Sequence, residues 1–349
     1  MTVLLYGATG YTGRLIARTA AQRGLRPILG GRSEEKLGPL ARELGLPHRA
    51  FGLDRPGDLR TALADVDVLL NVSGPFRQTA PPLVAAALET GTHYLDLAGE
   101  VPEFEALAAR DGEARSAGVM LLPGVGFGVL PTDSLAVHLA RRLPGATHLT
   151  LAFWAEGGVS RGTAETLLTD LPHGGVARRG GLLIPEMAGV RTKRVLFGKE
   201  ERQTLSNPWR GDLSTAYLST GIGNIETYAV VPPPVSGLMR ASRFLAPLLA
   251  ARPMQNLLLG QARRQPEGPS DAERAAGFTA VWGEVRDPGG RSARALLRGP
   301  EAYTFSALTA VAAVRAVLDG AAAPGFQTPA EVFGPDAVLG LPGVERHDV

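Results

Sequence analysis

The first third of the chain alternates short aliphatic runs with longer stretches whose apolar positions recur every three or four residues, a pattern that predicts parallel strands joined by helices. Val3-Leu4-Leu5-Tyr6 reads as the first strand, residues 13–23 as a helix, 26–29 as the second strand and 33–44 as another helix. The series continues with a strand at 48–53, a helix at 56–64, a strand at 68–72, a helix at 80–90 and strands at 93–96 and 119–122. That order predicts a complete doubly wound sheet. From Pro123 the texture changes to a Gly-rich turn, a helix at 133–142 and strand-like runs at 147–154, 224–231, 278–286 and 293–297. A sheet-rich α+β unit is expected there, with Asp287-Pro288-Gly289-Gly290 turning its last hairpin. Ala302 to Leu318 reads as a helix with a buried Ala and Val face. The expected division is therefore residues 1–122, residues 123–300, and a C-terminal helix and tail, 301–349, returning to the first domain.

Composition narrows the function classes. With 44% apolar and 20% charged residues the chain can bury a core and is far from the composition of disordered proteins. Gly (44) and Pro (27) make up about a fifth of the 349 residues without any period, which marks turns and close backbone approaches. The 36 basic and 34 acidic residues leave a net charge of +2, and no basic run exceeds two adjacent residues, so no nucleic-acid partner is expected. The absence of cysteine excludes disulfides, thiolate nucleophiles and Cys-ligated metals. No uninterrupted apolar stretch approaches roughly 18 residues, and Met1 leads straight into a strand without a basic, cleavable leader. A soluble, cytoplasmic protein is expected.

The sharpest motif is Gly7-Ala8-Thr9-Gly10-Tyr11-Thr12-Gly13, directly after an aliphatic strand and directly before a helix. Its glycines allow a sharp turn and close approach to a diphosphate, while the helix start offers unpaired N–H groups and a positive dipole end. The spacing is GxxGxxG, a variant of the usual dinucleotide fingerprint. At the end of the second strand, where NAD sites carry an acid for the ribose 2′-OH, stands Gly30-Gly31-Arg32-Ser33. Arg32 can pair with a 2′-phosphate as a planar fork and Ser33 can donate to it, which favours NADP over NAD. Ser33 also suits the N-cap of the next helix. Asp54 stands where it could accept from the adenine amino group or cap the helix at Pro56. Asn71-Val72-Ser73-Gly74-Pro75 closes the fourth strand and leaves open backbone for the nicotinamide side.

These segments resemble the saccharopine dehydrogenase-like oxidoreductases, and the similarity runs along nearly the whole chain. The Gly7–Gly13 turn, Gly30–Ser33, Asn71–Phe76 and Thr92–Glu100 look like that family's NADP-binding domain. Gly126–Asp133 is similar to its domain junction, with Gly128 where the family often has an acid. Ser160–Thr163, Trp209–Asp212, Ser219–Ile222 and Glu267–Ser270 look like landmarks of its second domain, and the last points to the branch of trans-acting enoyl reductases. The resemblance implies an α/β chain, in which an N-terminal Rossmann-type NAD(P)-binding domain precedes a second α+β domain for substrate binding and dimerisation. It also implies a small-molecule substrate, and no metal site is expected.

A nicotinamide enzyme needs orientation, a proton donor or acceptor, and exclusion of water from its protein. Tyr94, Asp96 and Glu100 follow the fifth strand and are the candidates for proton transfer, set against a core tyrosine and helix-capping acids. His93, one residue before Tyr94, is expected on the opposite face in a structural role. Thr132 and Asp133 combine a helix N-cap pattern with a position at the junction that suits substrate contact. Ser160 and Thr163 could bind a substrate carboxylate or phosphate, or start a helix. No Ser-His-Asp order, HExxH helix or carboxylate pair anchors a hydrolase or metalloenzyme. Residues 238–264 mix Leu, Met and Phe with Arg243, Arg252, Arg263 and Arg264, which suits weak membrane or lipid contact or a helical hairpin in a homodimer interface. The expected function is NADP-dependent hydride transfer in a cleft between the domains, to or from an enoyl or imine group. The alternatives are a non-catalytic NADP-binding sensor and a saccharopine-type amino-acid reductase.

Overall fold

The computed structural model describes residues 1–349, apart from the side chains of Pro234 and Arg243. The chain divides into two compact units, Met1–Leu130 with Tyr303–Gly334, and Pro131–Ala302 with Pro335–Val349.

The first unit runs β1 (Val3–Tyr6), α1 (Tyr11–Gln22), β2 (Ile28–Gly31), α2 (Glu34–Leu44), β3 (His48–Ala50) and α3 (Pro56–Leu63). It continues β4 (Val68–Asn71), α4 (Phe76–Thr90), β5 (His93–Asp96), α5 (Val101–Ala108), α6 (Asp111–Ala117) and β6 (Met120–Leu122). The strands are parallel in the order β3-β2-β1-β4-β5-β6. Leu5 of β1 is in register with Leu29 on one side and Leu70 on the other. The strand order reverses between β1 and β4, and in open parallel sheets ligands bind at the carboxyl ends of the strands beside such a switch. All four residues of β1, β2 and β4 are buried, as strands covered on both faces require. One core cluster joins Leu4, Leu69 and Leu121 of the sheet to Leu59 and Leu63 of α3 and Leu83 and Val84 of α4. Each such fully buried aliphatic side chain contributes about 1.5–3 kcal/mol relative to exposure.

The second unit is built from α7 (Leu130–Arg142), β7 (His148–Glu156), α8 (Arg161–Asp170), β8 (Gly175–Arg179), β9 (Leu182–Glu186), β10 (Thr192–Phe197) and β11 (Glu200–Ser206). Next come α9 (Asp212–Thr220), β12 (Asn224–Ala229), α10 (Pro233–Ala250), α11 (Arg252–Arg263), α12 (Asp271–Ala276), β13 (Phe278–Arg286) and β14 (Ser292–Pro300). Then α13 (Ala302–Ala316), β15 (Gly325–Phe326) and α14 (Pro329–Phe333) fall within the first unit, where β15 pairs in parallel with β6. The chain ends in β16 (Glu345–Asp348), antiparallel to β14 in the second sheet. That sheet has the order β10-β11-β12-β7-β13-β14-β16, with β8 and β9 attached to β12 as a hairpin.

Four differences from the sequence reading have physical causes. Residues 335–349, expected with the first domain, belong to the second unit through β16. β2 extends to Gly31 because the missing side chain at Gly30 lets Leu4 approach to where a Cβ would stand 2.9 Å away. α4 starts at Phe76, directly after Pro75 as N-cap and four residues before the expected start at 80, and carries Pro81 and Pro82 in its body. The segment Ala302–Ala321 is long and apolar enough to cross a membrane by length and composition, contrary to the expectation that none is. Within the first unit, however, its Phe305, Ala310, Val311, Val314 and Val317 are buried.

Candidate dinucleotide-binding site

The turn after β1 is shaped by its glycines. Gly7 and Ala8 donate their amides to the Gly30 carbonyl at 2.9 and 3.1 Å, and the Gly10 amide closes the turn on the Gly7 carbonyl at 3.1 Å. Gly7 has φ +92°, and a Cβ there would lie 2.9 Å from the Ser73 amide nitrogen. At Gly13 a Cβ would fall 2.2 Å from the Gly7 carbonyl oxygen, so the first turn of α1 can sit on the loop only without a side chain. Around Gly10 the nearest neighbour to a Cβ is the Gly7 carbonyl at 3.4 Å, and the residue is exposed. Any side chain there would occupy the open mouth of the turn. Gly10 is the N-cap of α1 with no side-chain cap, and the amides of Thr12 and Gly13 have no partner among the described residues. Unpaired amides at a positive dipole end, with space before them, fit a diphosphate. The loop is fixed from behind by Arg14, whose Nη1 donates to the Thr9 carbonyl at 2.6 Å, and by the edge-on contact of Tyr11 with Tyr303 at 5.1 Å. Ala8 is fully buried, so it and Thr9 offer a ligand main chain more than side chain.

At the end of β2, Arg32 is exposed and makes no hydrogen bond or ion pair among the described residues. Ser33 caps α2, accepting from the Lys36 amide at 3.4 Å. Asp54 is also exposed, and it does not cap α3, whose N-cap is Arg55 without a side-chain bond. The buried Tyr6 links these two residues electrostatically. Burial raises its phenol above the ordinary value, Arg32 opposes that shift and Asp54 adds to it. An uncommitted guanidinium and an uncommitted carboxylate thus flank the edge of the cradle, which fits a phosphorylated ribose and an adenine amino group.

The end of β4 is organised by a buried polar chain. Asn71 Oδ1 accepts from the Ser73 amide at 3.0 Å, and its Nδ2 donates to Thr79 Oγ1 and to the Tyr94 hydroxyl, both at 3.1 Å. Thr79 donates to the Ser73 carbonyl at 2.6 Å. Tyr94 donates to Asp96 Oδ2 at 2.9 Å, and Asp96 Oδ1 accepts from the amides of Ala98 (2.9 Å) and Gly124 (3.1 Å). Val72 continues the sheet by donating to the Tyr6 carbonyl, while Gly74 and Pro75 are exposed. Tyr94 and Asp96 are fully buried and bonded to each other, so of the two readings of Tyr94 the core tyrosine is the one that forms. Burial pushes the Asp96 carboxyl up to about 6 against the donors that favour its ionised form, and it holds Tyr94 well above its ordinary value. Glu100 is only partly buried, and its Oε2 accepts from the Gly99 amide at 2.9 Å. Glu100 stands at the N-cap of α5 without a side-chain capping bond. His93 takes a structural part, its Nδ1 accepting from the Met120 amide at 3.1 Å. The sequence reading missed Thr79, whose signal was its place eight residues after Asn71 in the first turn of α4.

In the second unit, Thr132 and Asp133 lie inside the first turn of α7, which starts at Leu130, and are fully buried, so neither stands at the N-cap that their pattern suggested. Thr132 donates to Asp212 Oδ1, Arg210 Nε donates to Asp212 Oδ2 at 3.0 Å, and Ser219 donates to Asp133 Oδ2 at 3.1 Å. Ser160 is the N-cap of α8, accepting from the Thr163 amide at 3.3 Å, so the helix-start alternative is the one that forms. Thr163 is exposed with its hydroxyl 3.1 Å from that of Ser160. Residues 238–264 form most of α10 and α11, whose Met239 and Leu249 are buried with Leu171, Ala188 and Leu205. Phe244 (73% exposed), Leu248 (53%) and Leu257 (57%) face outward. Arg240, Arg252, Arg263 and Arg264 are exposed as well, and the Arg243 side chain lies outside the described residues.

The sheet order and the glycine cradle define a dinucleotide-binding protein of the doubly wound class. Residues 3–122 match the saccharopine dehydrogenase NADP binding domain. The trans-acting enoyl reductase of Mycobacterium ulcerans is 32% identical over 188 residues, 48% of this chain and 44% of that protein. The trans-acting enoyl reductase of Mycobacterium tuberculosis H37Rv is 30% identical over 260 residues, 71% of this chain and 56% of that protein. The matched chain spans about half the length of these curated relatives. Among solved structures, saccharopine dehydrogenase (L-Glu forming) of Saccharomyces cerevisiae has a TM-score of 0.69 at 13% identity, over 100% of this chain and 99% of that one. Homospermidine synthase of Legionella pneumophila, in complex with NAD, has a TM-score of 0.61 at 12% identity, over 100% and 91%. These two share the fold.

Proposed function

We propose that this chain is an NADP(H)-dependent oxidoreductase that passes hydride to or from a small unsaturated substrate, an enoyl or imine group. The carrying observation is the uncommitted Arg32 beside a glycine cradle with unpaired amides. The amides at the start of α1 hold the diphosphate, Arg32 and Ser33 meet the 2′-phosphate, Asp54 accepts from the adenine, and the open backbone of Asn71–Pro75 lines the nicotinamide side. The nicotinamide, when bound, supplies or takes up the hydride. Of the three residues expected to move a proton, Glu100 is the one not fully buried, and we assign that role to it. The names of the mycobacterial relatives support an enoyl substrate. Isothermal titration tests the cofactor half: NADPH binds more tightly than NADH, and Arg32→Ala removes the difference. Equal wild-type affinities would sink the 2′-phosphate reading.

The enclosure of Tyr94 and Asp96 favours a second reading, a non-catalytic NADP-binding sensor. NADPH oxidation screened against enoyl thioesters, imines and 2-oxo acids with an amino-acid partner separates the readings. Turnover of the third class makes the chain a saccharopine-type amino-acid reductase, and silence despite tight NADPH binding makes it a sensor.

For the α10–α11 hairpin we infer contact with an anionic lipid surface. Residues 227–266 contain no Asp or Glu and five Arg, and the outward face adds Phe244, Leu248 and Leu257. An isologous homodimer through this face would set the same basic patch against itself. Vesicles containing phosphatidylglycerol should bind the protein in a salt-sensitive way, and Phe244→Ser with Leu248→Ser should abolish it. A dimeric mass that the same substitutions dissociate, without vesicle binding, overturns the inference.

A further inference from the structure

The polar chain behind the strand ends has one consistent pattern of donors and acceptors. Asn71 uses both amide hydrogens and its carbonyl oxygen, Thr79 and Tyr94 each donate once and accept once from Asn71, and Asp96 only accepts. Every donor around Asp96 points at a carboxylate. Oδ1 is taken by the amides of Ala98 and Gly124, while Oδ2 accepts only from Tyr94, so a proton on Oδ2 finds an acceptor among the described residues only if the Tyr94 hydroxyl turns to receive it.

The pattern can be reversed in one way. If Tyr94 accepts from a protonated Asp96, its own hydrogen needs the Asn71 oxygen, which requires the Asn71 amide to turn over. Turned over, Asn71 presents Nδ2 to the Ser73 amide, donor against donor, and the Ser73 N–H loses its acceptor. Ser73 is also the residue against which Gly7 is packed, since a Cβ on Gly7 would lie 2.9–3.0 Å from Ser73 N, Cα and Cβ. A proton at Asp96 therefore reaches the phosphate turn through three named side chains. The partly buried Ser73 N–H is then left without its acceptor, which loosens the loop.

Resting on the reading of this unit as an NADP-binding domain, we propose that Asn71, Tyr94 and Asp96 form a proton-linked latch on the Ser73 loop, so that dinucleotide binding and ionisation of Asp96 favour each other. In this role Asp96 is a positioning residue. It also ties the chain after β5, at Ala98, to the chain after β6, at Gly124, and its main-chain carbonyl accepts from Val125 at 2.9 Å. The titratable groups acting on it are Tyr94 on its own strand and Glu100 ahead of α5. From β4 it is faced through Tyr94 by the neutral Asn71, and from the β6 side by main chain.

The sign of the pH dependence separates the latch from unfolding. The Asp96 carboxyl sits at about 6 in the folded chain against an ordinary 3.8. Its contribution to stability is thus full below 3.8 and lost as pH rises through about 6. Acid strengthens the fold at this position while the latch predicts that it weakens dinucleotide binding.

The test measures NADP+ affinity between pH 5 and 8 by titration, together with hydrogen exchange of the ligand-free protein. The 2′-phosphate itself titrates near 6, at roughly the same pH, so the wild type is read against Tyr94→Phe, which keeps the phosphate and cuts the chain. The wild type should lose up to about tenfold more affinity than Tyr94→Phe between pH 7 and pH 5, as linkage to one group titrating near 6 allows. In the ligand-free wild type, protection of the segments at Ser73 and Gly124 should fall together below pH 6, corrected for intrinsic exchange. In Tyr94→Phe the Ser73 segment should no longer follow pH. Parallel affinity curves for the two proteins, or Ser73 protection indifferent to pH in the wild type, overturn the latch. No NADP+ binding at any pH, with the exchange pattern intact, overturns the cofactor reading and with it the linkage to dinucleotide binding, and supports only the proton-linked ordering of the Ser73 loop.

Discussion

Two helix N-termini entered through glycine, those of α1 and α7, treat their polar groups in opposite ways. At α1 the amides of Thr12 and Gly13 have no partner among the described residues, Gly10 leaves the mouth of the turn open, and Arg32, at the end of the neighbouring strand, makes no hydrogen bond or ion pair among them. At α7 the side chains of Thr132 and Asp133 are fully buried and turned onto α9, where Asp212 and Ser219 receive or supply their hydrogen bonds. The Arg210 guanidinium completes that set, bonded to Asp212 and stacked 3.9 Å from the Phe153 ring centre. Both regions read as polar motifs in the sequence. One keeps its hydrogen-bonding capacity for something outside the chain, and the other uses it to hold two helices. Uncommitted donors beside open space are the better mark of a ligand site than polarity or burial alone.

The largest effect that distinguishes the regions is expected for Asp212→Ala. The substitution takes an acceptor from the buried Thr132 and from Arg210, which is 18% exposed, and breaking such an ion pair from its buried side costs at most about 3–5 kcal/mol. Thermal unfolding should show that loss while NADPH affinity per folded molecule stays unchanged. Loss of turnover with stability intact would instead make the α7–α9 cluster a substrate site. Arg32→Ala is expected to do the reverse. The side chain is exposed and unpaired, so stability should not change, while charge-assisted bonds to a phosphate of about 1.5–3 kcal/mol correspond to roughly 10- to 100-fold in NADPH affinity. NADH affinity should be unaffected. A fall in both would mean that Arg32 supports the cradle rather than reading the 2′-phosphate.

The contrast also explains what was visible in the sequence. The cradle was legible because close backbone approach leaves its trace in residue type: Gly7 and Gly13 stand where a Cβ would meet Ser73 and the Gly7 carbonyl. The shared face of Tyr94 and Asp96 was legible from strand alternation, but what covers that face was not, because Asn71 and Thr79 reach it from β4 and α4. The strands β8 to β11 escaped notice because β9 exposes Leu182 and Ile184 and β10 exposes Leu196, so apolar residues do not mark a buried face there, while Glu200, Glu201 and Arg202 open β11 and Gly180, Gly181 and Gly198 interrupt the runs. The return of residues 335–349 to the second sheet rests on main-chain pairing of β16 with β14, which no local pattern announces.

Ser160 offers the smallest and most pointed test, because it could belong to either kind of region. Its hydroxyl accepts from the Thr163 amide at the start of α8, a helix tied to α11 through Gln255, whose Nε2 donates to the Leu168 carbonyl at 3.1 Å. As a cap, Ser160→Ala should cost about 1 kcal/mol, and Ser160→Asp should restore most of it, since Asp caps as well and its charge favours the positive end of the helix. As a binding group for a substrate carboxylate or phosphate, the same Asp would repel the ligand and raise KM far more than Ala does. The expected result is recovery of Tm by Asp with KM unchanged across all three proteins. A KM that climbs from Ser to Ala to Asp would move α8 from the self-paired region to the ligand-facing one, and with it the division of labour between the two units.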